Sequence, residues 1–134
     1  MIDKPQYGVG DASYQAAGGE VGIRKLVNDF YDVMEHWPEA QKIRKMHPAD
    51  LTVSRDKLTL FLCGWLGGRQ SYSQKYGPIR IPQVHSHLEI GSGERDAWLQ
   101  CMQEALKTQP YSADFKEYLL EQLYVPAERS RNRP

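Results

Sequence analysis

The sequence lacks several features that mark other classes of protein. It has no apolar run near the roughly 20 residues that span a bilayer, and its first residues lack the apolar stretch of a signal peptide. It has only two cysteines, Cys63 and Cys101, which argues against a disulfide framework and favours the reducing cytoplasm. Lys plus Arg equals Asp plus Glu, 17 against 17, so the chain lacks the excess of cations on which a general nucleic-acid binder depends. We therefore expect a cytoplasmic protein that binds neither membranes nor nucleic acids.

Common catalytic motifs are also absent. The sequence has no phosphate-binding loop and no GxGxxG, GxSxG, HExxH or CxxC motif. Because CxxCH is missing as well, a covalently attached c-type haem is excluded. Both cysteines fall on apolar helical faces, which favours buried, inert thiols over a nucleophilic pair.

The sequence does contain strong helical periodicity. Apolar residues that recur every three and four positions predict long helices over about 20–36, 54–66, 93–107 and 112–125. Shorter helices are expected over about 11–17, 38–45 and 81–87. Glycine pairs and prolines separate these segments, and residues 69–78 are predicted to form a polar loop. No stretch alternates with period two for long enough to predict a strand, so the fold class is all-α.

One folded unit accounts for most of the chain, because 134 residues suit a single domain. We expect residues 1–10 to form an N-terminal arm and residues 11–127 to form the domain. Residues 128–134, ERSRNRP, are predicted to be a frayed basic tail.

The histidines and the charge pattern indicate a candidate binding site. His85 and His87 are two residues apart, so on a helix they point about 200° away from each other and cannot share a metal ion. No acidic residue occurs from Lys57 to Leu88. This segment is either a solvated basic loop or a seat for an anionic ligand. A histidine just after it, ahead of a helix that contains Trp and Met, favours a flat, apolar cofactor with two carboxylates, such as haem.

Three segments of the sequence together resemble the group II (O-type) truncated haemoglobins. They are FLCGWLGG at 61–68, the histidine at 85, and ERDAWLQCMQEAL at 94–106; shorter matches are GG at 18–19, FYDVM at 30–34 and MHPADL at 46–51. The resemblance covers about residues 11–125. It implies a two-over-two sandwich in which helices B and E pack on helices G and H around a non-covalent b-type haem. The four long predicted helices correspond to B, E, G and H.

The resemblance assigns roles to individual residues. His85, nine residues before Glu94, matches the proximal ligand of the iron. Tyr31, His47 and Trp98 match polar distal positions, where they would hydrogen-bond a bound ligand. The other expected lining residues are Phe30, Ser54, Leu58, Phe61 and Leu62. Ser54 is equally well explained as a helix cap.

The haem propionates are expected to meet Arg80, Tyr72 and Lys75. Arg80 matches a basic position of the family, whereas Lys75 is assigned from its charge alone. The sequence departs from the family at Val84 and Pro82, where basic residues usually occur, so the usual anchoring of the propionates is weakened.

The implied function is reversible, high-affinity binding of oxygen, nitric oxide, carbon monoxide or another small iron ligand. Slow release would favour redox roles, such as nitric oxide or peroxide detoxification with the help of a reductase, over oxygen transport. The alternatives are a haem-based gas or redox sensor that acts through a partner protein, and a helical scaffold without haem. The neutral chain is expected to be a monomer or a weak homodimer.

Overall fold

A computed structural model describes residues 7–78, 88 and 90–132, and these residues form helices and turns without any strand. The helices are α1 (Ala12–Ala16), α2 (Gly19–His36), a short 3₁₀ helix (Pro38–Ala40), α3 (Gln41–Lys45), α4 (Thr52–Trp65), α5 (Ser71–Tyr76), α6 (Ser92–Lys107) and α7 (Ala113–Arg129). The prediction of an all-α chain with four long helices is confirmed. The predicted short helix over 81–87 lies outside the described residues. None of the described helices has the length and apolar character required to cross a membrane.

The two-over-two arrangement follows from the buried faces of the long helices. Helix α2 buries one apolar stripe and packs against both α4 and α6, while α6 also packs against α7. The buried stripe of α2 consists of Ile23, Leu26, Val27, Phe30, Tyr31 and Met34. Since each residue on this face exchanges water for apolar neighbours, the α2 stripe is the centre of the hydrophobic core.

Glycines form the two sharp turns beside this core. Gly18 and Gly19 have φ angles of 84° and 67°, in the left-handed region that glycine adopts without a steric penalty. Gly67, after α4, has a φ of 99°, and a β-carbon there would collide with the carbonyl oxygen of Gly10. The predicted roles of both glycine pairs as helix breaks are thus confirmed.

Two predicted boundaries are wrong. Residues 69–78 are not a loop throughout, since Ser71–Tyr76 form α5, whose Lys75 and Tyr76 side chains both bond to Asp56 on α4. Helix α7 continues to Arg129 instead of ending near 125, and Pro126 is buried within it. In both places contacts with distant parts of the chain outweigh the local sequence preference.

Both cysteines are buried, as their position on apolar faces predicts. Burial raises the pKa of the Cys63 and Cys101 thiols to about 11. Neither is therefore a thiolate at neutral pH.

Candidate functional site

The helices line a partly open cavity of about 310 Å³, which is at the lower end of the range of roughly 300–1,000 Å³ for small-molecule sites. Residues from α2, α3, α4, α5, α6 and α7 contribute to its walls. The lining residues are Tyr31, Ile43, Met46, His47, Ser54, Lys57, Leu58, Phe61, Tyr72, Leu88, Ile90, Glu94, Arg95, Trp98, Leu123, Pro126, Ala127 and Ser130.

Tyr31 brings a buried hydroxyl to this cavity from α2. Its side chain is 4% exposed, and its hydroxyl lies 3.5 Å from the carbonyl oxygen of Ser54, to which it donates. Burial raises the pKa of Tyr31, and the nearby Arg55 guanidinium offsets only part of this rise. Tyr31 therefore keeps its proton and is a hydrogen-bond donor at any physiological pH.

His47 lies beside Tyr31, just after α3. Its ring contacts the Tyr31 ring edge-on, with 5.6 Å between the two centroids. Its Nδ1 lies 2.8 Å from the carbonyl oxygen of Ile43. Because a carbonyl oxygen only accepts, Nδ1 carries a proton and donates it to Ile43. This hydrogen bond fixes the orientation of the imidazole ring.

Trp98 reaches the same cavity from α6. The fully buried Phe30 lies between it and Tyr31, with 5.0 Å between the ring centroids in each pair. Phe30 does not line the cavity, so its place is behind the wall, where it sets the spacing of the two donors. The three distal residues expected from the sequence are thus brought together around one space.

The first three turns of α4 supply one wall of the cavity. Ser54, Leu58 and Phe61 line it, whereas Leu62 is fully buried in the core behind. Ser54 lies inside a helix that begins at Thr52, so the alternative that Ser54 caps the helix is wrong. Asp50 instead accepts hydrogen bonds from the backbone and the hydroxyl of Thr52.

The charged residues around the cavity differ in part from those expected. Tyr72 lines it, but the Lys75 ammonium lies 2.7 Å from the Asp56 carboxylate and is not among the lining residues. Arg80 and His85 lie outside the described residues. Lys57 and Arg95 line the cavity instead, and sequence reasoning assigned neither of them to the site.

Helical spacing could have predicted that Lys57 lines the cavity. It lies three residues after Ser54, and Leu58 and Phe61 lie four and seven residues after Ser54, so all four share one face of α4. Arg95 had no comparable signal. Its guanidinium bonds to the neighbouring Asp96, and it also bonds to Glu128 and lies over the Tyr124 ring. The contacts with Glu128 and Tyr124 depend on how α6 meets α7.

The described residues fit a haem group. Leu58, Phe61 and Leu123 offer apolar contact to a flat macrocycle, and Lys57 and Tyr72 place a cation and a hydroxyl on its wall for carboxylates. Tyr31 and Trp98 bring donors to the space in which a small ligand would sit.

Comparisons with known proteins agree with this geometry. The family model of the bacterial-like globins matches residues 12–129. The group 2 truncated hemoglobin YjbI of Bacillus subtilis is 30% identical over 122 residues, which are 91% of this chain and 89% of that protein.

Solved structures show the same similarity. The group II 2-on-2 hemoglobin of Agrobacterium tumefaciens superposes with a TM-score of 0.86 at 32% identity, covering 100% of both chains. The cold-adapted truncated hemoglobin of Pseudoalteromonas haloplanktis also reaches 0.86 at 30% identity, covering 91% of this chain and 98% of its own. The chain therefore belongs to the bacterial-like globin family, among the group II truncated haemoglobins, and is by that membership a haem protein that binds oxygen or other small ligands.

Proposed function

We propose that this globin holds b-type haem non-covalently through His85 and binds oxygen, nitric oxide or carbon monoxide with high affinity and slow release. When bound, haem supplies an iron with one open position for a diatomic ligand. The observation that carries the proposal is the convergence of Tyr31, His47 and Trp98 on one cavity.

Two of these side chains are donors whatever the pH in the physiological range. The Tyr31 hydroxyl keeps its proton because burial raises its pKa, and the Trp98 indole N–H has no acceptor role. A ligand that gains negative charge is held by both donors, and hydrogen bonds in a dry cavity are stronger than in water. Its departure requires these bonds to break, which supports slow release.

Slow release makes the protein a poor transporter and favours consumption of the ligand. We propose nitric oxide or peroxide detoxification as the reaction class. Conversion of nitric oxide, oxygen and one electron into nitrate requires an external electron donor, so a reductase is the implied partner. Tyr31 and Trp98 would orient the reactants in the cavity.

We further propose that Lys57, Tyr72 and Arg80 contact the haem propionates. Lys57 and Tyr72 line the cavity, and Arg80 keeps the role that the resemblance implies. Lys75 does not belong to this set, because its ammonium forms an ion pair with Asp56. This ion pair joins α5 to α4 instead.

The first test is the absorption spectrum of the purified, haem-loaded protein together with a His85→Gly variant. We expect a Soret band and a stable oxygen-bound form in the wild type, a weakened spectrum in His85→Gly, and recovery when imidazole is added. His36→Gly, at the exposed end of α2, is the matched control and should leave the spectrum unchanged. Haem binding that is indifferent to His85 would overturn its assignment, and a silent spectrum would overturn the proposed function.

A further inference from the structure

The chain after α7 folds back onto the segment that leads into α6. Asn132 forms hydrogen bonds to both Leu88 and Ile90. Its side-chain Nδ2 donates to the Leu88 carbonyl at 2.6 Å, its Oδ1 accepts from the Ile90 N–H at 2.9 Å, and its own N–H donates to the Ile90 carbonyl at 2.8 Å. These contacts, which we call the Asn132 clamp, join positions 42 and 44 residues apart. The prediction of a frayed tail is therefore wrong through residue 132.

The chemistry of the clamp requires a carboxamide. One side chain here satisfies a backbone acceptor and a backbone donor at the same time, which a carboxylate, an alcohol or an aliphatic residue cannot do in this arrangement. The pairing resembles a short piece of a β-ladder in which the side chain replaces one strand's backbone.

Neighbouring contacts hold the tail in place for this role. The Arg131 side chain bonds to Glu128 at 2.7 Å, and Glu128 also binds Arg95 on α6. The Ser130 hydroxyl donates to the Pro126 carbonyl at 3.0 Å, which closes the end of α7. The tail is thus tied to both α6 and α7 before it reaches Leu88 and Ile90.

The clamped segment is part of the cavity wall. Leu88 and Ile90 line the cavity, as do Pro126, Ala127 and Ser130 at the end of α7. Ile90 is 8% exposed, so its backbone N–H needs a protein partner, and Asn132 supplies it. Leu88 follows His85 by only three residues along the chain.

We infer that Asn132 is a positioning residue for the proximal ligand: its carboxamide fixes Leu88 and Ile90, and because Leu88 is joined to His85 through only two residues, this restraint limits the movement of that histidine. This inference rests on the proposed function, in which His85 binds the iron. Loss of the clamp should loosen Leu88 and Ile90 and weaken the retention of haem, without removing any residue proposed to touch haem or its ligand.

The experiment compares the wild type, Asn132→Ala and Asn132→Asp in the haem-loaded, carbon monoxide-bound form. Asn132→Ala removes both side-chain bonds, while Asn132→Asp keeps an acceptor for Ile90 but sets a carboxylate against the Leu88 carbonyl. Arg129→Ala is the matched control, because Arg129 is exposed on the last turn of the same helix. Two quantities are measured: hydrogen exchange of the Ile90 amide, and transfer of haem to an excess of apomyoglobin.

We expect Asn132→Ala to speed both Ile90 exchange and haem transfer about five- to tenfold, as the loss of one or two hydrogen bonds implies, with Arg129→Ala close to the wild type. Asn132→Asp should speed haem transfer as well. Unchanged Ile90 exchange in Asn132→Ala would overturn the clamp itself. Faster exchange with unchanged haem transfer would overturn the positioning role and leave a purely structural contact. A wild-type protein that takes up no haem would overturn both the proposed function and the positioning role of Asn132. Hydrogen exchange of the Ile90 amide would still show whether the Asn132 clamp forms.

Discussion

At the scale of single residues, the cavity is defined by donors whose protons are fixed. The Tyr31 hydroxyl donates to the Ser54 carbonyl at 3.5 Å, a long hydrogen bond that a better acceptor can replace. Burial keeps this phenol protonated, and the Ile43 carbonyl holds the proton on Nδ1 of His47. Trp98 adds an indole N–H, which is always a donor and never an acceptor. The Tyr31 hydroxyl and the Trp98 indole can therefore donate to a ligand without any proton transfer, whereas the Nδ1 proton of His47 is already donated to Ile43.

The Trp98 indole is tested by Trp98→Phe. This substitution keeps an aromatic ring and removes the N–H, so we expect the oxygen dissociation rate to rise about five- to tenfold, the effect of one hydrogen bond of about 1–1.4 kcal/mol. Stopped-flow replacement of oxygen by carbon monoxide measures this rate. Trp37→Phe is the matched control, since Trp37 is not among the lining residues. An equal rise in both variants would remove Trp98 from the ligand site.

At the scale of the elements, α5 depends on one carboxylate of α4. Asp56 accepts a hydrogen bond from Tyr76 at 2.6 Å and ion-pairs with Lys75 at 2.7 Å and with Arg24 of α2 at 3.4 Å. The hydrogen bonds from Lys75 and Tyr76 lower the pKa of Asp56 below its usual value. A folded-state pKa below the unfolded one contributes stability above the unfolded pKa, and this contribution is lost as the pH falls through the folded pKa.

Asp56→Asn tests this junction. We expect the free energy of unfolding at pH 7 to fall by about 1 kcal/mol, because a neutral amide cannot replace the ion pairs and presents an N–H to its donors. The difference from the wild type should narrow as the pH falls below about 4, the ordinary pKa of an aspartate, because the wild-type carboxylate then becomes protonated. Urea denaturation at several pH values measures it. Glu121→Gln, at an exposed position of α7, is the control. A difference that stays constant with pH would contradict the assigned role of the charge.

At the scale of the whole molecule, the core and the cavity share walls. Tyr31 and Leu123 are buried in the main hydrophobic cluster and also line the cavity. The cavity is therefore bounded directly by close-packed core residues, which fix its shape. A change in the core should consequently alter both the stability of the protein and the retention of its cofactor.

Leu123→Ala tests this coupling. Leu123 is fully buried, so we expect the free energy of unfolding to fall by about 2–5 kcal/mol, the usual cost of removing a large core side chain. Haem transfer to apomyoglobin should also become faster. Val125→Ala is the control on the same helix, because Val125 is 56% exposed, and it should change the free energy of unfolding by less than about 0.5 kcal/mol. Equal effects of the two substitutions would contradict the shared wall.

The four long helices, their apolar faces and the glycine breaks between them could be predicted from the sequence, because helical periodicity and backbone conformation are local properties. Tyr31 and Trp98 were also found from the sequence, since each lies on a helix face within a recognisable motif. Leu62 and Phe30 were placed on the correct helices, but only the packing shows that both lie behind the cavity wall.

The packing of the helices, in contrast, sets which cations line the cavity, where α7 ends and which residues the tail contacts. Lys75 and Lys57 look alike in the sequence, but Asp56 engages Lys75, 19 residues away, while Lys57 lines the cavity. The Asn132 clamp joins residues more than 40 positions apart. Local patterns carry no information about such pairs, because they form only when the packed helices bring distant segments within hydrogen-bonding distance.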